Sequence, residues 1–280
     1  MIRRTNLIFI LLYQFIFFTT LSRINFIPIL NFISNYNYSI TFITILIQII
    51  LSQIIIWIFD FCYKCRWLDR YKPNKNHTWL FLENPQKYQE KISQTYYKYY
   101  FYIGPMFLIF VFLSNPILSL LDTSIEIPTF LTIYLQANLS LIIGDFFFYI
   151  CHLILHQSIF YKYHKEHHGY TNLTIHSRLE SSIVDYLAET ICYGLTGILF
   201  FKMHVLTYFL LIITGMAIDI LDHSGYEFPV SPLHIYLPLN ELIFEKSVHH
   251  HHDNHHSKIM GNYASISLIY DWIFGTTLKE

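Results

Sequence analysis

Residues 145–168, DFFFYICHLILHQSIFYKYHKEHH, set five histidines inside an aromatic and aliphatic stretch. Wound as an α-helix at about 100° per residue, Asp145, His152 and His156 fall within roughly 20° of one line, a polar seam on an apolar rod. His164, His167 and His168 follow at i, i+3 and i+4, a spacing that puts three side chains on one helical face. Far along the chain, HDNHH repeats that spacing with His252, His255 and His256.

Neutral imidazole is the commonest metal-binding side chain. A single histidine in an apolar protein is ordinarily a hydrogen-bonded structural residue, and His77, His204 and His234 are read that way. The groups are different, because burying so many imidazoles without partners costs on the order of several kcal/mol, which a shared ion removes. Eight imidazoles exceed what one octahedral ion can hold, so the pattern predicts two ions. Thiolates are absent from the groups, against a cysteine-rich structural zinc site. Imidazole suits zinc, copper, iron and nickel alike, so spacing leaves the metal open. A histidine-rich pair of ions without an evident hydrolytic nucleophile points to oxygen chemistry. Composition alone would make His249 to His256 a histidine tract. Only one register within it gives HxxHH, which leaves His249, His250 and His251 as extras.

The 280 residues are 54% hydrophobic and only 13% charged, against about 25% charged in soluble domains. A net charge of −1 argues against a nucleic-acid partner and for a membrane. Four cysteines are too few for a disulfide framework, and Cys62 and Cys65 form a CxxC that no second pair follows. Residues 5–22, behind Arg3 and Arg4, and residues 39–61 read as two spans, making 1–61 an N-terminal membrane anchor. Residues 62–98 carry eight lysines and arginines, from Lys64 to Lys98, and form a basic loop on the cytoplasmic side. The apolar stretches 99–121 and 127–151 form a membrane hairpin around the DTSIEI turn. A second apolar pair, 183–201 and 203–221, turns at Lys202. Asp185, Glu189 and Asp219 make it less lipid-like, so it is read as a hairpin that dips in without fully crossing. Asn37, in NYS, is the one sequon on the far side. The expected fold is all-α: an integral-membrane helical bundle of about four spans plus the partly inserted hairpin. Both hairpins return the chain to one face, which gathers the histidines into a cytoplasmic cap.

The three boxes, His152-LIL-His156, His164-KE-His167-His168 and His252-DN-His255-His256, resemble the fatty acid hydroxylase/sterol desaturase superfamily in order and spacing. DFFFYICHLILH and the closing DWIFGT are similar to its flanking patterns. His223-Ser-Gly-Tyr-Glu-Phe-Pro and Gly261-Asn-Tyr-Ala-Ser look like its C-4 methylsterol monooxygenase branch. That branch carries a His-Pro-x-Glu motif after the second box; here the region reads IHSRLESSIVDY, with Asp185 the candidate for the glutamate. The resemblance makes 99–280 the catalytic domain. It implies a non-haem centre of two Fe ions that activates O₂ and attacks a C–H bond of a membrane lipid or sterol. It further implies electrons from NAD(P)H through cytochrome b5 and a reductase, in the endoplasmic reticulum. The implied ligands are the eight box histidines and His223, with His249 or His176 as candidates for a tenth. Asp145, Asp253 and Glu166 are candidate carboxylates that fix imidazole orientation. The alternatives are a sterol desaturase, a fatty-acyl or sphingoid hydroxylase, or a metal-binding membrane scaffold or transporter.

Overall fold

Long apolar runs without internal proline become long helices, and prolines mark where the others break. The computed structural model describes residues 25–35, 39–72, 79–170, 173–227 and 248–278, with the backbone alone of Ser34, Ser39, Leu80 and residues 248–250. The expected first span 5–22, Asn37, His77 and His234 lie outside the described residues. Among those described, helices α1 (Ile27–Asn35) and α2 (Ser39–Cys65) come first, followed by α3 (Pro85–Lys98) and α4 (Gly104–Leu113). Then come α5 (Phe130–Leu155), α6 (Ile183–Glu189), α7 (Val205–Asp222), α8 (Val248–Lys258) and α9 (Leu268–Phe274). A π-helical turn, Thr190–Leu195, carries α6 on into a short helix, Thr196–Phe200.

Four of these helices are long and apolar enough to cross a membrane: Ile40–Cys65, Phe130–Leu155, Ile183–Phe200 and Val205–Asp222. The shortest, at 18 residues, rises about 27 Å at 1.5 Å per residue, close to the hydrocarbon thickness of about 30 Å. Both arms of the second hairpin are of spanning length. One expectation is corrected. The stretch 99–121, expected as one span, is instead a π-turn at Tyr99–Ile103, α4, and a four-residue helix, Asn115–Leu118. Pro105 follows the π-turn, which takes up its missing N–H while the helix runs on, and Pro116 sits in the first turn of the short helix beyond Ser114.

The return of both hairpins to one face holds. Their tips meet: the Asp122 N–H donates to the Met203 carbonyl and the Val205 N–H to the Asp122 carbonyl, each at 2.9 Å. His204 caps α7 through Nδ1, which accepts from the Leu206 N–H, while its Nε2 lies 2.9 Å from the Ser124 carbonyl. That histidine is structural, as read. At the other end, His156 and His223 cap the C-termini of α5 and α7.

Helix α7 is the axis of the bundle: 72% of its residues are buried, against 17% along the apolar stretch of α2. It packs on α2, α5 and α8. In a bilayer lipid tails compete equally for apolar side chains, so close packing of small residues holds helices together. Gly144 on α5 shows this: a Cβ there would stand 2.7 Å from the Cys192 carbonyl oxygen. One residue on, buried Asp145 ties in the C-terminal segment. It accepts the Tyr193 hydroxyl at 2.5 Å and the N–H groups of Ser265, Ile266 and Ser267 at 2.6 to 3.1 Å.

This topology puts Lys165 and Ser257, both exposed, at the histidine end and exposed Glu126 at the other. In a cysteine-free background, Lys165→Cys and Ser257→Cys are expected to react with an impermeant maleimide from one face of sealed vesicles, and Glu126→Cys from the opposite face. Labelling of 165 and 257 from opposite faces would contradict the fold.

Candidate metal centre

Helix α5 delivers His152 and His156 from its last turn, and α7 ends on His223. The chain beyond α5 tightens into 3-10 turns, Tyr161–Tyr163 and His167–Gly169, rather than the expected helix. Helix α8 carries the third box. All nine proposed ligands come together, in two groups whose ring nitrogens lie within 4.8 Å of one another. His152, His156, His164, His168 and His255 form one; His167, His223, His252 and His256 form the other. The second and third boxes are therefore each divided between the groups. The groups adjoin, with the His168 and His256 rings 4.8 Å apart between centroids.

Within the first group, Nε2 of His164 lies 2.9 Å from that of His152 and 3.0 Å from that of His168, which is 3.3 Å from His156. Within the second, His252 Nε2 lies 3.2 Å from His223 and 3.1 Å from His256, and His223 lies 3.4 Å from His167. Two nitrogens bound to one ion at about 2.1 Å stand about 3.0 Å apart at a right angle and about 3.4 Å apart at the tetrahedral angle. The observed spacings are the edges of such polyhedra. His255 Nε2 is buried without a hydrogen-bond partner, an orphan that an ion in the first group would satisfy. The residues present fit a pair of metal ions.

The outward nitrogens explain why the inward ones point as they do. His152 Nδ1 donates to the Tyr263 carbonyl at 2.7 Å and His255 Nδ1 to the Gly261 carbonyl at 2.7 Å. His164 Nδ1 donates to Asp185 Oδ1 at 2.8 Å, His223 Nδ1 to the Asp219 carbonyl at 2.8 Å, and His167 Nδ1 to the Glu180 carbonyl at 3.3 Å. Each bond places the proton on Nδ1 and leaves the Nε2 lone pair for a metal. Burial, reinforced by neighbouring imidazoles, pushes His156 and His168 down to about 3 and holds His167, His252, His255 and His256 well below the usual histidine range. These six rings are neutral near pH 7, as ligation requires.

The loop that supplies two of those carbonyls is itself held by a carboxylate. Asp271, fully buried, accepts the N–H groups of Tyr263 and Ala264 at 2.8 Å each, the Thr276 hydroxyl at 2.7 Å, and His251 Nε2–H at 3.0 Å. Gly261 has φ 84°, and a Cβ there would meet the Thr276 carbonyl at 2.8 Å, so the turn needs glycine. The extra histidines are thus partly accounted for. His251 is a structural partner of Asp271, while the side chains of His249 and His250 lie outside the described residues. His176 is remote from both groups, bonded to Tyr96 Oη at 3.1 Å and Asp60 Oδ1 at 2.8 Å.

The candidate orienting carboxylates need correction. Asp145 touches the C-terminal backbone and Tyr193, reaching the centre only through the segment it anchors. Glu166 pairs with Lys98 at the surface. Asp253 is half-buried on α8. The carboxylates that meet box imidazoles or His223 are Asp185 and Asp219, the latter with Oδ1 3.1 Å from His223 Nδ1. Their signal in the sequence was ionisable side chains in an apolar hairpin. The Gly261 and Tyr263 carbonyls gave no side-chain signal at all.

Asp185 also caps α6 in a reciprocal capping box with Ser182. Asp185→Asn is expected to keep the helix while weakening the hold on His164. In a metal-competition titration, affinity at the five-histidine group should fall about 10- to 100-fold, with the four-histidine group unchanged. Equal affinity in both variants would show that Asp185 does not tune the centre.

The sequence matches the fatty acid hydroxylase family profile over residues 137–276. Among curated relatives, methylsterol monooxygenase 1 of Gallus gallus is 32% identical over 155 residues, 54% of this chain and 49% of that one. A methylsterol monooxygenase of Aspergillus fumigatus is 32% identical over 165 residues, 56% of this chain and 52% of that one. A very-long-chain aldehyde decarbonylase of Oryza sativa is 32% identical over 164 residues, 56% of this chain and 57% of that one. The matches span about half to just under two-thirds of these relatives' lengths. No solved structure matches. The profile covers half of the chain, including every box histidine and His223, and the chain belongs to the fatty acid hydroxylase family.

Proposed function

We propose that this protein is a membrane-bound oxygenase that uses two iron ions and O₂ to oxidise a C–H bond of a lipid, with a C-4 methylsterol as substrate. The observation that carries the reading is the pair of adjoining imidazole groups with their Nε2 atoms turned inward. Methylsterol monooxygenases among the relatives supply the substrate class. His152, His156, His164, His168 and His255 would hold one ion, and His167, His223, His252 and His256 the other. Bound there, iron would supply the reductive activation of O₂ that no side chain can. Electrons would come from NAD(P)H through cytochrome b5 and its reductase, at the cytoplasmic face of the endoplasmic reticulum.

The chain's own part is positional. The Tyr263, Gly261, Glu180 and Asp219 carbonyls and the Asp185 carboxylate keep protons on the outward nitrogens. Burial of the rings keeps water from competing for the inward ones. All nine gather at one end of the bundle instead of along the spans, which favours an enzyme over a transporter. The relative named as an aldehyde decarbonylase supports a second reading, the same centre acting on a long-chain aldehyde.

Protein purified in nanodiscs with its native metal is expected to hold about two irons per chain, and cells lacking it to accumulate 4-methylsterols. Accumulation of long-chain aldehydes would favour the second reading. His256→Ala should abolish oxidation, at least a hundredfold loss. His251→Gln should keep most of it, losing about 1–3 kcal/mol of stability from the buried bond to Asp271. Full activity with one metal per chain, or equal tolerance of both substitutions, would overturn the paired-ion reading.

A further inference from the structure

Directly under the histidines, inside the bundle, lies a cavity of about 80 Å³ bordered by α2, α6 with its π-turn, and α7, room for several water-sized groups. Its walls include Arg178, Tyr186, Glu189, Tyr193 and Asp219. A larger cavity at the opposite end, about 380 Å³, is lined by isoleucine, phenylalanine, leucine and proline. Hydrocarbon would suit that surface; it would leave the polar cavity's groups unmet.

The polar cavity borders the four-histidine group through Asp219 and lies one helical turn from the residue that holds the other group. Asp219 lines it and also meets His223, of the four-histidine group. Glu189 lies one helical turn past Asp185, which holds His164 of the five-histidine group. A small molecule seated there would present its neighbouring atoms to the centre.

Two groups of the wall keep hydrogen-bonding capacity that no described residue uses. Glu189 sits within a spanning segment, yet its carboxylate hydrogen-bonds to no other described residue. Ionisable groups at that depth are costly and face a pathway or a site. Arg178 uses Nε to reach Asp219, and its side chain makes no other hydrogen bond among the described residues. The guanidinium's remaining N–H groups donate only, and a carboxyl group can accept. A hydroxyl, which donates once and accepts, matches both.

We propose that Glu189 and Arg178 bind the hydroxyl group of a sterol substrate in this cavity, so that the hydroxyl selects which neighbouring carbon faces the metal centre. This rests on the oxygenase reading for its substrate class. It assigns specificity to two residues outside the boxes, and it favours a hydroxylated ring lipid over a plain acyl chain.

The test measures equilibrium binding of a tritiated 4-methylsterol to the metal-loaded protein in nanodiscs, with the 3-deoxy analogue as competitor. Wild type is expected to prefer the hydroxylated ligand by about 100-fold, the order expected from hydrogen bonds to charged groups. Glu189→Leu should narrow that preference to about threefold, while Glu189→Gln, whose amide oxygen still accepts, should keep most of it. Metal content and thermal melting are read for each variant. Gly215 also lines the cavity, and a Cβ there would meet nothing within 4 Å. Gly215→Leu should therefore fold normally yet weaken sterol binding at least tenfold. No sterol binding, no preference in wild type, an equal loss of both ligands in Glu189→Leu, or undiminished binding in Gly215→Leu would each overturn the proposal. Sterol binding with the expected preference, but no oxidation of any lipid, would instead overturn the oxygenase reading and leave the hydroxyl site standing.

Discussion

Ring nitrogens about 3 Å apart, with their outer protons already committed to carbonyls and a carboxylate, aim lone pair at lone pair. In a neutral, water-poor interior that arrangement is repulsive unless a cation sits where the lone pairs converge. Everything else in this fold serves to hold nine rings in place, five of them by an outer proton committed in this way. Two hairpins bring the ends of α5 and α7 to one face, and α8 closes the set from above.

Carboxylates do the holding, each at a different remove. Asp185 and Asp219 meet imidazoles of the centre themselves. Asp271 acts through a loop, fixing the N–H groups of Tyr263 and Ala264 so that two carbonyls face His152 and His255. Asp145 acts further out still, with four donors on one buried side chain tying residues 265–267 to α5. Such groups are expensive to bury and persist when fully bonded. The motifs around the boxes, Gly261-Asn-Tyr-Ala-Ser and DWIFGT, are thereby explained as the two sides of one clasp.

The histidine boxes and their common face were legible, because spacing and hydrophobic runs depend on local sequence alone. The division of each later box between two groups was not. On α8, His255 and His256 stand about 100° apart around the axis, wide enough for one face to serve two ions. The second box does not lie on a helix at all, and its 3-10 turns send His167 away from His164 and His168. Hydropathy also overstated 99–121, where the helix ends at Leu113 and a four-residue helix containing Pro116 follows, and understated 183–201, where Asp185 and Glu189 obscured a helix of spanning length. Backbone carbonyls leave no trace in a list of side chains, so four of the five groups that accept an outer ring proton could only be seen folded.

Because α8 gives His255 to one group and His252 and His256 to the other, it works as a common latch. Neither group can be completed by the chain before α8, and neither survives that helix's departure. A rotation of α8 by a single residue would carry all three rings off their positions together. Two ions held there would be mechanically linked through eleven residues of helix, and whatever grips or releases that helix would govern the loading and loss of both at once.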